Sequence, residues 1–223
     1  MANRPFHTRY EDLPEVLPIF PLTGALLLPD GRLPLNIFEP RYLAMVQDSL
    51  GAGRLIGMIQ PSENGAESTD DEPALFEIGC AGRISSFEET DDGRLLITLT
   101  GVSRFRVARE TDGLHGYRRV VPDWRSYQAD LKPPPAFDLD RLHLLTALKA
   151  YCKIHQMEFN WKAVERAENH ELIVSLCMAC PFEPREKQAF LECEDPACRA
   201  ETLIALMEMA VAVQQGGHGS LPQ

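Results

Sequence analysis

Four cysteines in the last third of the chain have a spacing that could bind a metal ion. Two residues separate Cys177 from Cys180, and Cys193 and Cys198 follow further along the chain. Four thiolates would form a tetrahedral cage for zinc, and such a cage would tie two helical hairpins together. However, Cys177 and Cys180 fall within a helical run that lacks the glycine of a zinc-binding turn. The alternative is that they are small core residues, and the sequence leaves both interpretations open.

The sequence lacks the motifs of common nucleotide-dependent and hydrolytic enzymes. A phosphate-binding loop ends in a Gly-Lys pair, and no such dipeptide occurs in the chain. There is no G-x-S-x-G sequence, which positions the serine nucleophile in many hydrolases. The six histidines form no H-E-x-x-H pair for a catalytic metal. The sequence therefore predicts a protein that is not an enzyme and that uses no cofactor.

The charge balance argues against a nucleic-acid partner. The chain has 22 basic and 33 acidic residues and a formal net charge of −11, whereas nucleic-acid affinity depends on clustered lysine and arginine. The single candidate basic cluster is interpreted as a solvated face of a sheet. It consists of Arg104, Arg106, Arg109, Arg118 and Arg119.

The sequence contains no recognisable targeting or membrane segment. The amino-terminal stretch MANRPFHTRYEDLPE lacks the apolar core of a signal peptide, and no apolar run is long enough to cross a bilayer. We therefore expect a cytoplasmic protein with no membrane partner. In that compartment the six cysteines should be mostly reduced thiols.

Prolines cut the segment Leu17–Leu50 into short strands and then begin a helix. Proline lacks an N–H group and fixes φ, so Pro34 and the prolines before it suit strand ends and edges. Pro40 suits the first turn of a helix, where its missing donor costs nothing. Further strands are predicted over Leu55–Gln60 and Leu75–Ser86, and others follow Asp92-Gly93 with a bend at Gly101. This pattern favours a curved sheet or partly closed barrel with one inserted helix.

The sequence after Pro135 is typical of helices. The run Lys132–Pro135 includes three consecutive prolines and predicts a stiff linker. Asp138 or Asp140 could cap the next helix, and the last helix is predicted to begin at Asp195-Pro196. The predicted class is α+β. The predicted divisions are a β-rich lobe over residues 1–127, a linker over 128–136, a helical bundle lobe over 137–215 and a disordered tail over 216–223.

Five segments in a fixed order resemble the amino-terminal domain of the Lon proteases. They are LPIFPL, PLNIFEPRY, LIGMIQP at Leu55–Pro61, DDEPALFEIGCAGRI and LLITLTGVSRFRV. The resemblance extends from about Leu13 to Val213 and implies a PUA-like pseudo-barrel. It also implies a stand-alone substrate-recognition module, without the ATPase and protease domains, that takes part in protein quality control.

The resemblance implies that the module binds unfolded polypeptide segments or a partner protein through exposed apolar surface. Six apolar residues near the proline-cut strands are the candidate binding residues: Leu26, Leu27, Leu28, Ile37, Phe38 and Tyr42. The alternative for each is a place in the core. Two other functions stay open, since PUA-like barrels also bind small molecules or RNA and the four cysteines could make a zinc-stabilised structural protein. The sequence does not predict the oligomeric state.

Overall fold

The computed structural model describes residues 8–62 and 73–216. The first part of the chain forms six strands and one helix. In order these are β1 (Leu17–Pro21), β2 (Arg32–Ile37), α1 (Pro40–Gly51), β3 (Leu55–Ile59), β4 (Ile78–Glu89), β5 (Leu95–Leu114) and β6 (Tyr117–Asp123). Short 3₁₀ segments precede β1 at Tyr10–Asp12 and follow β6 at Arg125–Leu131.

Strand β5 closes the sheet into a barrel. Its first half pairs with β2 on one side and β4 on the other, and its second half pairs with β6. Strand β4 continues the sheet to β3, then β1, and β1 pairs with β6. All these pairs are antiparallel except β1 with β3. The circuit of β5, β4, β3, β1 and β6 is therefore complete, and β2 lies outside it as an added strand on β5.

Five helices follow the barrel. They are α2 (Arg141–His155), α3 (Trp161–Arg166), α4 (Asn169–Ala179), α5 (Pro184–Glu192) and α6 (Pro196–Gly216). The side chain of Asp140 caps α2 by accepting a hydrogen bond from the His143 backbone N–H at 2.9 Å. Asn160 caps α3 through the Ala163 N–H in the same way. Helices α1, α5 and α6 each begin at a proline, and the sequence predicts this start for α1 and α6.

Two buried clusters hold the barrel and the helices together. The smaller cluster includes Leu17, Ile19 and Phe105 and contains barrel residues and Trp124. The larger cluster joins barrel residues such as Leu99 to helical residues such as Leu203. Strand β3 contributes to both clusters and is buried on both faces. The helices therefore share one core with the barrel.

Buried polar side chains also connect the barrel to the helices. The amide nitrogen of Gln60 donates to the Pro184 carbonyl at 2.9 Å, and the amide oxygen of Gln60 accepts from the Gly24 N–H at 3.2 Å. Gln188 on α5 donates to the Ile78 carbonyl at 3.2 Å. Buried polar groups stabilise a fold only when they are paired, and these glutamines are paired across the boundary.

The α+β class and the curved, closed sheet with one inserted helix are confirmed. The bend predicted at Gly101 falls inside β5, which continues through this residue as one strand. The pairing register with β4 shifts beside Gly101, which indicates a β-bulge. A Cβ atom at this glycine would overlap the Leu28 carbonyl oxygen. The glycine is therefore required for close backbone approach.

The division into a β-rich lobe, a linker and a helical lobe stays a prediction. The change from strands to helices lies between Asp123 and Arg141, within which the 3₁₀ segment Arg125–Leu131 is found. Helix α6 ends at Gly216, so the first residue of the predicted tail is helical. The rest of that tail, residues 217–223, lies outside the described residues.

Candidate functional site

The six predicted binding residues differ sharply in exposure. Phe38 is 63% exposed, whereas the other five are at most 7% exposed: Leu26, Leu27, Leu28, Ile37 and Tyr42. These five belong to the larger core cluster. Burial favours a structural role for them, so their contact with a ligand stays a prediction. Among the six, Phe38 is the side chain that offers apolar surface to a partner.

The local backbone explains why Phe38 points away from the core. It follows Ile37, which is the last residue of β2 and is 2% exposed. Successive side chains on a strand point to opposite faces, so a buried Ile37 places the next residue outward. Glu39 then has an extended backbone and Pro40 begins α1. The short connection between strand and helix therefore leaves Phe38 in solvent.

Another exposed apolar side chain lies near Phe38 in the sheet. Asn36 of β2 pairs with Leu96 of β5, which is 42% exposed. Directly opposed residues share one face of a sheet, and Phe38 is two residues beyond Asn36. Leu96 and Phe38 therefore extend the same outer face. We name the surface formed by Arg32, Pro34, Asn36, Phe38 and Leu96 the β2 surface.

Strand β2 also has an unpaired backbone edge. Each strand of the barrel circuit has two neighbours, whereas β2 pairs with β5 alone among the strands of the described segments. The side chains of Arg32, Pro34 and Asn36 are exposed along this edge. A free edge presents N–H and C=O groups that can pair with another chain. The β2 surface thus combines backbone hydrogen-bonding groups with exposed apolar side chains.

Charged groups next to Phe38 are paired with one another. Arg41 forms an ion pair with Glu39, with Nη2 and Oε2 2.9 Å apart. The Arg41 guanidinium also lies 4.7 Å from the centre of the Tyr42 ring. Burial raises the pKa of Tyr42, so this phenol stays neutral at physiological pH. Arg41 and Glu39 therefore add no net charge beside Phe38.

The prediction that five arginines form a solvated face of a sheet is wrong for one of them, Arg104. This side chain is buried and forms a bidentate ion pair with Asp130, with both N···O distances at 2.9 Å. It also donates to the Leu191 and Cys193 carbonyls at 3.2 and 2.5 Å. Arg104 therefore binds the end of α5 to the barrel.

Three other arginines of that cluster form local pairs. Arg106 forms an ion pair with Glu77. Arg118 pairs with Glu110 at 2.5 Å, and Arg119 donates to the Asp112 carbonyl at 2.8 Å. Phosphate binding would have to compete with these acceptors. Arg109, the fifth member of the cluster, is exposed. The three paired arginines give no support to the RNA-binding alternative.

The four cysteines of the zinc hypothesis do not form a metal site. Within residues 8–62 and 73–216, no three Cys, His, Asp or Glu side chains are grouped so that they could hold a metal ion. Cys177 and Cys180 are fully buried in the core, and Cys193 lies 3.5 Å from the Thr202 hydroxyl. Burial raises the pKa of Cys180 to about 12 and that of Cys193 to about 11. Cys177 and Cys180 are therefore residues of the larger core cluster, which is the alternative interpretation of the sequence.

The sequence of the chain matches a known protein family over most of its length. The model for the ATP-dependent protease La (LON) substrate-binding domain matches residues 16–209. The chain belongs to this family. A fold comparison agrees, since the Lon N-terminal domain protein from Xanthomonas campestris has a TM-score of 0.58 at 27% identity. That match covers 85% of this chain and 97% of the other.

Other relatives are a solved domain and full-length Lon proteases. The N-terminal domain of the Mycobacterium avium complex Lon protease has a TM-score of 0.56 at 16% identity and covers 86% of this chain and 98% of that domain, which supports the fold alone. Lon protease 2 of Myxococcus xanthus is 32% identical over 98 residues, or 44% of this chain. Lon protease of Cytophaga hutchinsonii is 23% identical over 204 residues, or 89% of this chain.

The match to the Lon proteases is limited to one part of those proteins. It spans 12% of the Myxococcus xanthus protein and 24% of the Cytophaga hutchinsonii protein. The substrate-binding domain is therefore the part that this chain shares with them. None of the helices in the described parts of the chain is long and apolar enough to cross a membrane.

Sequence reasoning missed the free edge and Leu96 as parts of the candidate site. Leu95, Ile97 and Leu99 alternate with Thr98 and Thr100, and Leu96 shares the register of the two threonines. This pattern could have indicated that Leu96 faces outward. The free edge has no such local signal. It arises from strand order, which a single strand does not specify.

Proposed function

We propose that this chain is a non-catalytic module that binds extended or unfolded polypeptide segments, as an adaptor in cytoplasmic protein quality control. The observation that carries the proposal is the exposed Phe38 at the end of β2, in a member of the Lon substrate-binding domain family. A largely exposed phenylalanine is costly in water and gains free energy when a partner covers it.

The shape of the β2 surface supports a polypeptide partner. Its apolar groups, Phe38 and Leu96, lie beside backbone groups of the kind that pair with peptides. No ATPase or serine-hydrolase motif occurs in the sequence, so cleavage or unfolding of a bound chain would need another protein. The proposal therefore assigns recognition alone to this chain.

Binding to a permanently unfolded protein tests the proposal. Fluorescently labelled, reduced and carboxymethylated α-lactalbumin is titrated with the purified chain, and native α-lactalbumin is the ligand control. We expect binding to the unfolded form alone. The substitution Phe38→Ala should weaken it about tenfold, because it removes about 1.4 kcal/mol of apolar contact.

The matched control is Leu142→Ala. Leu142 is 78% exposed on α2, so the substitution removes a large exposed apolar side chain from another element. Affinity should be unchanged. Equal losses for both variants, or no binding of the unfolded protein, would contradict the proposal.

A cleavage assay tests the non-catalytic part of the proposal. Casein incubated with the chain, with and without ATP, should stay intact on a denaturing gel. Reproducible cleavage that copurifies with the chain would show that catalytic activity had been wrongly left out.

A further inference from the structure

The unpaired edge of β2 has a defined hydrogen-bonding pattern. The Gly101 N–H donates to the Gly31 carbonyl at 2.8 Å, so the backbone groups of Gly101 point toward the chain that leads into β2. Backbone N–H and C=O groups alternate in direction along a strand, so those of Leu99 and Ile97 also point toward β2. Their partners in the register are Leu33 and Leu35.

The backbone N–H and C=O groups of the alternate residues of β2 therefore point away from β5. These residues are Arg32, Pro34 and Asn36, which lie opposite Thr100, Thr98 and Leu96. The Ser85 hydroxyl donates to the Thr98 carbonyl at 3.0 Å, and this contact confirms that Thr98 points toward β4. The outer edge of β2 thus has three carbonyl acceptors but two N–H donors, because Pro34 has no N–H.

We propose that the edge of β2 from Arg32 to Phe38 binds an extended polypeptide segment as an added antiparallel strand. The inference rests on the proposed function and specifies its binding mode. Successive outward residues of a strand are about 6.6 Å apart, which is the repeat of an extended peptide. A helical ligand could not meet this spacing with its own backbone, since its amides are already paired.

The side chains along the edge define the chemistry of the segment. Arg32 is exposed at one end, and none of the ion pairs seen in the described residues includes it. Phe38 is exposed at the other end, about 20 Å away along an extended chain. An antiparallel segment would place its carboxyl end near Arg32. The fitting ligand is therefore extended, apolar near its amino end and acidic near its carboxyl end.

Pro34 limits how tightly such a segment binds. In an antiparallel pair the residue opposite Pro34 could donate to the Pro34 carbonyl, but its own carbonyl would find no donor. The added strand would therefore form five of six backbone hydrogen bonds along Arg32, Pro34 and Asn36. Proline on an edge strand is also a common protection against uncontrolled strand pairing. Its place here suits reversible binding of many segments.

Backbone methylation of a peptide tests the proposed strand addition, whatever register the peptide adopts on β2. The probe is a fluorescein-labelled eight-residue peptide of alternating valine and threonine, with phenylalanine at its amino end and glutamate at its carboxyl end. Each inner residue in turn is N-methylated, and affinity is measured by anisotropy. Strand addition predicts losses of about tenfold or more at every second residue, because alternate N–H groups face β2. A flat profile would overturn the proposal.

The substitution Pro34→Val provides a test on the protein side. Valine restores the missing N–H and suits a strand, so affinity for the probe should rise about threefold to tenfold. The matched control is Asn36→Val, which adds a similar side chain on the same edge without adding a donor. Its effect should be less than about twofold. Circular dichroism establishes that both variants fold, and equal effects from both would contradict the role of the backbone donor.

The outcomes separate this inference from the proposed function. If Phe38→Ala weakens binding but the methylation profile is flat, polypeptide recognition stands and strand addition is wrong. If neither the probe nor unfolded α-lactalbumin binds, the proposed function itself fails. In the remaining case a second copy of the chain occupies the edge. Sedimentation velocity of the free chain would then detect a dimer, and Pro34→Val would strengthen this dimer.

Discussion

Two regions of the molecule differ in how their polar groups are paired. One is the boundary between the barrel and the helices, and the other is the outer edge of β2. At the boundary, Arg104 is buried and its charge is matched by Asp130 and by two carbonyls. Along the β2 edge, backbone groups are left without a strand partner and Phe38 is left in solvent. Paired groups favour a permanent contact, and unpaired groups favour a contact made only when a ligand is present.

The largest effect is expected from breaking the buried ion pair. Arg104→Met leaves the Asp130 carboxylate buried without its partner, which should lower the free energy of unfolding by about 3–5 kcal/mol. Urea denaturation followed by circular dichroism measures this loss. The matched control, Arg106→Met, removes an exposed arginine two residues along β5 and should cost about 1 kcal/mol or less.

A double substitution sharpens this test. Replacing Arg104 and Asp130 together with methionine and leucine removes both charges, so stability should recover part of the loss seen with Arg104→Met. If the single variant is as stable as the unmodified chain, the boundary does not depend on this pair.

The next largest effect on stability is expected where the backbone of Leu28 approaches the backbone of Gly101 in β5. Gly101→Ala would place a methyl group against the Leu28 carbonyl, so we expect a loss of about 2–3 kcal/mol in unfolding free energy. Gly51→Ala is the control, since an added Cβ at the end of α1 has no atom within 4 Å. Thermal melting compares the two, and equal stabilities would contradict the packing of the Leu26–Leu28 segment against β5.

A smaller effect is expected at the exposed polar contact between α1 and the turn of the β5–β6 hairpin. The Asp48 carboxylate accepts hydrogen bonds at 2.9 Å from both His115 and Tyr117, and these lower its pKa. A carboxylate whose pKa is lower in the folded state than in the unfolded state stabilises the fold at pH values above the unfolded-state pKa. This stabilisation is lost as pH falls through the folded-state pKa. Asp48→Asn should cost less than about 1 kcal/mol at pH 7, because the site is exposed.

The pH dependence gives this prediction its sign. The difference between Asp48→Asn and the unmodified chain should narrow as pH falls below about 4, where both carry an uncharged group. Urea midpoints at pH 7 and pH 3 measure it. A difference that widens toward acid would contradict the assigned hydrogen bonds.

The smallest effect on stability is expected at Phe38 itself. Since this side chain is mostly exposed, Phe38→Ala should change the unfolding free energy by about 0.5 kcal/mol or less. A loss of several kcal/mol in urea denaturation would show that Phe38 is part of the core and would remove the contrast with the boundary.

Much of the fold could be predicted from local sequence. Proline at a helix start, an aspartate cap and alternating apolar residues act within a few positions, and they correctly indicated α1, α2 and the strand-rich first half. The burial of Arg104 could not be predicted in this way, because both faces of β5 are covered at this point. Ser103, Arg104 and Phe105 are all buried. Alternation predicts an exposed face only when one side of a strand meets water.

The candidate site was predicted only in part, because burial again depends on contacts that local sequence does not specify. Leu26, Leu27 and Leu28 lie in an irregular segment between prolines. They are nevertheless core residues, because the segment packs against β4 and β5. Which irregular segments are buried depends on contacts that are distant in sequence. Phe38 was included in the prediction, whereas the free edge beside it follows from the strand order.

Amide exchange at the edge of β2 tests most directly the claim that a polypeptide pairs with this strand. Two-dimensional NMR of ¹⁵N-labelled chain measures exchange at Arg32 and Asn36 with and without the valine-threonine probe. Strand addition predicts that saturating peptide slows both amides by at least about tenfold, because new hydrogen bonds protect them. Binding of the peptide with unchanged exchange at both residues would contradict it.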